Sequence, residues 1–244
     1  MTPNRALPLR RPRTKPAALA VLLLAACSGC AATRLDVRFV DTQPDASFRA
    51  TLDRSLRTIV AFSAANDLGV HDARQFFSRA VVYGSKVSFD AMMRASPGWP
   101  KDKAVPRTFV GVGVGREFRV VTWAEYRRVH PDASHDDYQR LVTHELTHLF
   151  HIAVLGGDED KMGPVWFYEG FACLVAGQYA DAVLPPADTL REVLASRTRG
   201  SYRTYVAMLR VLASKGPIRE LVRRASQPGF NHWAEARLLG PPPP

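Results

Sequence analysis

The feature that most restricts the fold is the pentapeptide HELTH at residues 144–148, which lies inside an otherwise apolar helical pattern. The pattern covers residues 138–155, where apolar side chains recur at the three- and four-residue spacing of a buried helix. A Gly-Gly pair at 156–157 is typical of a helix end. The sequence therefore predicts a buried helix that carries two histidines and an acid on or beside one face.

The two histidines have the spacing of metal ligands. Because His144 and His148 lie four residues apart, both imidazoles can project from one helix face and ligate a single tetrahedral Zn²⁺ ion. Glu145 lies beside them and is placed to take a proton from a metal-activated water. The alternative is that the two histidines are only packed or hydrogen-bonded.

Two histidines leave a zinc site incomplete, and Glu169 is the candidate for the third protein ligand. It is a lone carboxylate in a nearly uncharged stretch from Pro164 to Val175, which predicts a second helix. Alternatively, Glu169 is an acid stabilised by a helix N-terminus or paired with a distant arginine. Four small residues are expected to let this helix lie close to the first: Gly170, Ala172, Cys173 and Ala176.

The chain carries HELTH, then twenty residues, then Glu169 within WFYEGFA at 166–172. This combination resembles the gluzincin zinc metallopeptidases, whose motif is HExxH followed on the next helix by a glutamate, often within W-x-x-E-G-x-A. The resemblance covers about residues 107–226. It implies that His144, His148 and Glu169 bind zinc and that Glu145 is the general base. It also implies a mixed sheet whose edge strand, within residues 111–123, pairs with an extended peptide or protein substrate.

A later segment is similar to the cleft wall of small peptidase-MA-like domains, in which Y-x-x-Y precedes a K-G or Y-G turn. Here Tyr202, Tyr205 and the pair Lys215-Gly216 stand in that order. The resemblance implies that Tyr202 or Tyr205 steadies the oxyanion, although both tyrosines also suit the core or the rim. Cys173 departs from the pattern, because many members carry an aspartate there to orient a histidine. In this chain another group must do so.

The first 26 residues have the features of a secretory signal. A basic stretch precedes the apolar run at 17–26, which is too short to span a bilayer. The run ends in Leu24-Ala25-Ala26-Cys27, which resembles a bacterial lipobox. The resemblance implies a lipidated Cys27 that anchors the chain to a membrane of the cell envelope, facing the periplasm or the exterior. Alternatives are an ordinary secretory signal or a short N-terminal anchor. Residues 27–34 are expected to be a tether.

The remainder divides into a strand-rich first part and a helical second part. Strands are predicted at 35–40 and 79–83, with a strand pair within 107–123. This order favours one α+β domain at 35–240, with a small mixed sheet followed by a zincin-like helical half that carries HExxH. Residues 241–244 are expected to be a disordered tail. The predicted helices are 47–66, 87–94, 135–155, 164–182, 187–196, 202–215 and 217–226.

Gly111, Gly113 and Gly115 lie within the predicted strand pair. Their spacing lacks the third glycine of a dinucleotide-binding loop, and no helix follows them at the required place. We therefore expect a bend, a bulge or the close approach of another backbone.

Two other residues are expected to be buried without binding metal. His151 projects off the line of His144 and His148, so we expect it to be packed or to support a ligand. Cys173 is expected to be a small buried thiol, with a disulfide to Cys30 as the alternative.

The formal charge of +10 does not indicate a nucleic-acid partner. Five of the basic residues and no acidic residue belong to the first 26 positions, so removal of that segment leaves +5. The rest contains no run of five or six basic residues. This is typical of a solubilising surface rather than of a phosphate-binding face.

Together these features predict a zinc-dependent peptidase that hydrolyses peptide bonds with a metal-activated water and is anchored to a membrane through Cys27. One alternative is a zinc-binding or scaffolding lipoprotein that keeps the gluzincin fold and cleaves nothing. Another is a metal-dependent hydrolase of a different amide, such as one in the cell wall. The intact Glu145 favours an enzyme, because a purely structural site has no use for a base.

Overall fold

Four strands form an open mixed sheet in a computed structural model that describes residues 35–97, 99–100 and 102–240. They are β1 (Asp36–Val40), β2 (Arg79–Tyr83), β3 (Gly111–Val114) and β4 (Glu117–Val121), in the order β1-β2-β4-β3. Strands β1, β2 and β4 run parallel, whereas β3 is antiparallel to β4 and forms an edge. Most of the helices follow this sheet in the chain, so the α+β prediction is confirmed.

The helix that carries HELTH, His135–Val154, begins and ends at residues typical of helix caps. Ser134 and Asp137 form a reciprocal cap, in which each side chain accepts a hydrogen bond from the backbone N–H of the other. Gly156 and Gly157, both at positive φ, end it. The α-helices of the described residues are α1 (Ala46–Ala65), α2 (Lys86–Ala95), α3 (Trp123–Val129), α4 (His135–Val154), α5 (Val165–Val175), α6 (Ala187–Ala195), α7 (Tyr202–Ser214), α8 (Ile218–Ala225) and α9 (Phe230–Leu239).

Polar contacts hold α4 between α1 and the sheet. The Tyr138 hydroxyl donates to the carbonyl oxygen of Val121, at the end of β4, at 2.6 Å. On the other side, Ser55 Oγ of α1 lies 2.9 Å from Thr143 Oγ1 and 2.5 Å from Gln139 Nε2. Because these groups are buried or half-buried, their pairing fixes the rotation of α4 about its axis. That rotation decides which side chains face the sheet edge.

Glycines let the edge strand β3 lie directly against α4. A Cβ atom at Gly113 would stand 2.5 Å from Leu149 Cδ2, and one at Gly111 would stand 3.2 Å from Glu145 Cγ. Gly115 has φ +61° and forms the turn between β3 and β4. The sequence predicts a bend, a bulge or the approach of another backbone at these glycines. The nearest atoms are instead side chains of α4, and α4 backbone comes close only at Gly113, where a Cβ atom would stand 3.6 Å from the Glu145 carbonyl oxygen.

Some helix boundaries differ from the prediction. The segment predicted at 164–182 is helical only to Val175, because Gly177 then adopts φ +65° and ends the helix. The sequence does not predict α3 and α9. Helix α3 starts where the Thr122 hydroxyl accepts a hydrogen bond from the Glu125 backbone N–H.

The small residues of α5 contact two neighbouring helices. Cys173 is a buried free thiol that faces α4, with its sulfur 3.7 Å from Nδ1 of His144. Gly170 faces α7 instead, since a Cβ atom there would stand 2.9 Å from the Tyr205 carbonyl oxygen. The expectation that the small residues let α5 lie close to α4 is therefore wrong for Gly170.

Several predictions concern residues outside the described ranges. They are the signal at 1–26, the lipidated Cys27, the tether at 27–34, the alternative disulfide partner Cys30 and the tail at 241–244. Within the part of the chain that the structure describes, no helix is both long and apolar enough to cross a membrane.

Candidate metal centre

Helices α4 and α5 bring the three predicted ligands together. His144 Nε2 lies 3.2 Å from His148 Nε2 and 3.2 Å from Glu169 Oε2. His148 Nε2 lies 3.6 Å from the same oxygen. One ligand atom from each residue thus belongs to a group no wider than 4.8 Å, which can hold a metal ion.

These separations fit a small tetrahedral cation. Bonds of about 2.0 to 2.2 Å to a tetrahedral zinc would place the ligand atoms about 3.3 to 3.6 Å apart. The observed separations are 3.2 to 3.6 Å. Two imidazole lone pairs and a carboxylate that face one another repel unless a proton or a metal ion lies between them, so the group is suited to bind a cation.

Glu169 is almost completely buried, with 1% of its side chain exposed. Burial raises its pKa, but the hydrogen bond with His144 and the close contact with His148 outweigh that effect and hold the pKa of Glu169 well below its usual value. The carboxylate is therefore ionised and available to a metal.

Arg199, in the loop between α6 and α7, is a site residue that the sequence analysis does not single out. Its Nε atom lies 2.9 Å from Glu169 Oε1. That oxygen accepts no well-aligned hydrogen bond from the described residues, so the contact is mainly electrostatic. The alternative that pairs Glu169 with a distant arginine thus exists alongside the ligand group. No motif marks Arg199, because a loop far along the chain brings it here.

His144 has a partner on each ring nitrogen. While Nε2 faces the other ligands, Nδ1 lies 2.9 Å from Gln178 Oε1 and 3.7 Å from Cys173 Sγ. Burial lowers the pKa of His144, but contacts with Cys173 and Glu169 and the charge of Glu145 reverse the shift and raise the pKa well above its usual value. The surroundings therefore favour positive charge at this ring.

Glu145 is half-buried on the cleft wall, beside Gly111 of the edge strand. Burial raises the pKa of Glu145, and the two neighbouring histidines oppose this effect without cancelling it. The place of Glu145 next to the ligand group and on the cleft wall puts a titratable carboxylate where proton transfer can occur.

The ligand group faces a cleft of about 650 Å³. Tyr202 lines this cleft, with its ring centroid 5.9 Å from that of His144. Tyr168 lines it as well, with its ring centroid 5.9 Å from that of His148. Burial raises the pKa of both hydroxyls, so both stay protonated and can donate hydrogen bonds. Tyr168 was not predicted as a site residue, although its place directly before Glu169 in the sequence was an available signal.

The structure does not bring Tyr205 into the cleft. This residue is 2% exposed, and its hydroxyl accepts a hydrogen bond from the Gly200 N–H at 2.6 Å and donates to the Thr198 carbonyl oxygen at 3.4 Å. These bonds hold the loop that carries Arg199. Of the two tyrosines in Y-x-x-Y, only Tyr202 reaches the cleft, while Lys215-Gly216 also lies outside its lining.

His151 takes no part in the ligand group. It is 0% exposed, and its ring centroid lies 4.8 Å from that of Phe171 and 5.9 Å from that of Phe167. Neither ring nitrogen has a hydrogen-bond partner among the described residues. The prediction that His151 is packed is confirmed.

No protein-family model, curated protein or solved structure matches this chain. The function is therefore inferred from the residues of the site. The ligand group of His144, His148 and Glu169, with Glu145 beside it, is the observation on which that inference depends.

Proposed function

We propose that this chain is a zinc-dependent peptidase of the gluzincin type. The observation that carries the proposal is the convergence of His144, His148 and Glu169 at the wall of a cleft, next to Glu145. Structural zinc sites are closed by four protein ligands, whereas catalytic sites have three and keep one position for water or substrate. A group of three ligands that faces a cleft supports a catalytic metal.

The donor set supports zinc as the metal. Two imidazole nitrogens and one carboxylate oxygen are typical zinc ligands, whereas magnesium and calcium prefer six or more oxygen ligands. When bound, the ion supplies Lewis-acid chemistry that acidifies a water molecule and polarises a carbonyl group.

Glu145 and Tyr202 have the positions for the remaining chemistry. Glu145 accepts a proton from the attacking water and delivers it to the leaving nitrogen, so that the C–N bond breaks with release of a neutral amine. Tyr202 donates a hydrogen bond to the carbonyl oxygen as negative charge develops there. Glu145 and Tyr202 both line the cleft that the ligand group faces, which supports these roles.

The edge strand β3 supports a peptide or protein as the substrate. Within the described sheet it pairs only with β4, so its outer backbone groups are free to pair with an extended chain. Residues 111–113 of β3 also line the cleft. A peptide added to this edge would run past the ligand group.

We also propose that lipidated Cys27 holds the domain on a membrane of the cell envelope. The lipobox-like residues 24–27 support this location. In a bacterial host, Cys27→Ser is expected to move the protein from the membrane fraction to the soluble envelope fraction. Retention of the variant in the membrane fraction would contradict the proposal.

Zinc content and cleavage, measured on the same samples, test the catalytic proposal. The full-length chain, purified in detergent, is expected to hold one zinc ion and to digest casein. His148→Ala and Glu169→Ala should lose both zinc and cleavage, whereas Glu145→Gln should lose only cleavage. His232→Ala and Glu192→Gln change exposed residues of the same types and are the matched controls.

The outcomes separate the alternatives. Zinc without cleavage of casein or other peptides would favour the scaffolding lipoprotein. Cleavage of a cell-wall amide in place of casein would favour a hydrolase of another substrate. A folded wild type that binds no zinc would refute the site.

A further inference from the structure

Two groups compete for the nitrogen of His144 that faces away from the metal centre. Cys173 Sγ lies 3.7 Å from Nδ1, and a thiol is a weak hydrogen-bond partner. Gln178 Oε1 lies 2.9 Å from the same nitrogen, which is an ordinary hydrogen-bond distance. The amide oxygen of Gln178 is therefore the group that orients the His144 ring.

An unusual turn presents Gln178 to His144. The residues on either side have positive φ, +65° at Gly177 and +51° at Tyr179, and the second is a costly conformation for a residue with a side chain. Arg210 of α7 holds this turn. Its guanidinium donates to the carbonyl oxygens of Gln178, Tyr179 and Ala180 at 3.2, 2.7 and 2.9 Å. The strained turn is thus fixed at the point where the amide reaches His144.

The amide oxygen decides which nitrogen of His144 carries the proton. Because an amide oxygen only accepts hydrogen bonds, Nδ1 of His144 donates to it at 2.9 Å, and Nε2 is then the nitrogen whose lone pair a metal ion can take. Nε2 is the atom that faces His148 and Glu169. Without the amide oxygen, the proton is free to occupy Nε2, where it would compete with a metal ion.

We propose that Gln178 positions His144 for metal binding and that Arg210 positions Gln178. The inference rests on the metal site of the proposed function, but it does not require peptide cleavage. It assigns roles to two residues outside the ligand group, and it predicts changes in metal affinity that can be measured without a substrate.

Zinc affinity of the full-length protein, measured by competition with a chromogenic chelator, tests these roles. Gln178→Leu removes the acceptor while keeping a similar side-chain size, and it is expected to weaken zinc binding about 10- to 100-fold. Gln178→Glu keeps an acceptor oxygen and should bind zinc within a few-fold of wild type. Gln227→Leu, at an exposed position, is the matched control. Cys173→Ala is expected to leave the affinity unchanged.

A spectroscopic readout separates positioning from a general loss of structure. In wild type, the hydrogen-bonded Nδ1 proton of His144 should give a slowly exchanging imidazole resonance by NMR. This resonance should be absent in Gln178→Leu and present in Gln178→Glu. Arg210→Gln should also weaken zinc binding, but by a smaller factor than Gln178→Leu, because the turn can still form without the hydrogen bonds from Arg210.

Unchanged zinc affinity in Gln178→Leu would overturn the inference. A larger loss in Cys173→Ala than in Gln178→Leu would also overturn it, since the sulfur would then be the orienting group. A wild type without zinc would refute the metal site and this inference together. If wild type binds zinc and cleaves no peptide, only the peptidase proposal fails, and the zinc affinities still decide the role of Gln178.

Discussion

Two turns of α4 each contain a buried histidine, and because the two are seven residues apart they lie on nearly the same helix face, about 10 Å apart along the axis. The turn of His144 is called the cleft side of α4, and the turn of His151 is called its core side. On the cleft side, His144 is 6% exposed and has Gln178 on one nitrogen and Glu169 on the other. On the core side, His151 is 0% exposed, packs against phenylalanine rings and has no hydrogen-bond partner among the described residues. Both are shielded from water, so the exposed fraction does not distinguish the two histidines.

Their partners do. Burial lowers the pKa of both histidines, because it disfavours the charged ring. At His144 the surrounding acceptors and acids reverse the shift and raise the pKa. At His151 burial is unopposed and the nearby His148 adds to it, so the pKa falls from its usual 6.5 to about 3. The turn of α4 that carries His144 is therefore suited to accept a cation, whereas the turn that carries His151 excludes charge.

The largest expected effect is on the cleft side, at Glu145. Removal of a general base lowers kcat about 10²- to 10⁴-fold, or about 3 to 5 kcal/mol in activation free energy. Glu145→Gln is expected to show such a loss on a peptide substrate while keeping its zinc and its melting temperature, because the ligands stay in place. Near-normal kcat in Glu145→Gln would mean that another group serves as the base.

The next effect lies on the core side, at His151, and depends on pH. In the unfolded chain a histidine takes up its proton near pH 6.5, whereas folded His151 does so only near pH 3. Between these values the unfolded state binds more protons, so the free energy of unfolding falls as the pH falls. The loss amounts to about 2 to 3 kcal/mol at pH 4.5.

His151→Leu is expected to remove most of this acid sensitivity and to leave the zinc content unchanged. Denaturant unfolding of the metal-free protein at pH 7 and pH 4.5 measures it. His232→Leu, which changes an exposed histidine, is the control and should keep the wild-type difference between the two pH values. An equal loss of stability at low pH in His151→Leu and wild type would show that other groups cause it.

The two sides of α4 also show what could be predicted from the sequence. The candidate ligands His144 and His148 and the candidate base Glu145 were predicted from spacing on one helix, which is local information. His151 was correctly expected to be packed, but its angle around the helix is close to that of His144. It is separated from the ligand group because it lies about 10 Å further along the axis, among phenylalanine rings. Glu169 was a candidate because it is a lone carboxylate in a nearly uncharged stretch, and the resemblance supported it, although nothing local says that α5 crosses α4 at that residue.

Gln178 and Arg199 could not be predicted, because turns and loops bring them to the site. Gln178 depends on the end of α5 at Val175, which the sequence pattern extends to 182. Tyr205 shows the converse failure. Its position in a motif implies a place in the cleft, but the rotation of α7 sends its hydroxyl to the loop at 198–200. Tertiary contacts decide such side-chain directions.

A smaller effect is expected where the cleft side of α4 meets β3. An added methyl in Gly113→Ala would collide with Leu149, whose Cγ would lie 3.0 Å from the new carbon. Overpacking of this kind costs about 1 to 3 kcal/mol, and movement of the Leu149 side chain favours the lower end. Gly216→Ala is the control, because a Cβ there meets no atom within 4 Å. Thermal unfolding compares the two, and equal melting temperatures would show that the strand moves freely away from α4.

The smallest expected effect belongs to Arg199, where the cleft side meets solvent. Its side chain is 55% exposed, so water screens its attraction to the buried Glu169 carboxylate. Such a pair contributes about 1 kcal/mol or less. Arg199→Ala also removes a positive charge next to the metal centre. We therefore expect the metal-free protein to lose up to about 1 kcal/mol of stability, while zinc affinity rises by up to about fivefold.

Arg199→Lys keeps the charge and should resemble wild type in both measurements. The gain in zinc affinity should shrink at 1 M salt, where charges in contact with solvent are screened within about 3 Å. A fall in zinc affinity in Arg199→Ala would contradict this prediction. It would mean that Arg199 stabilises the site mainly by orienting the Glu169 carboxylate, as Gln178 is proposed to orient His144. Its repulsion of a metal ion would then be the smaller effect.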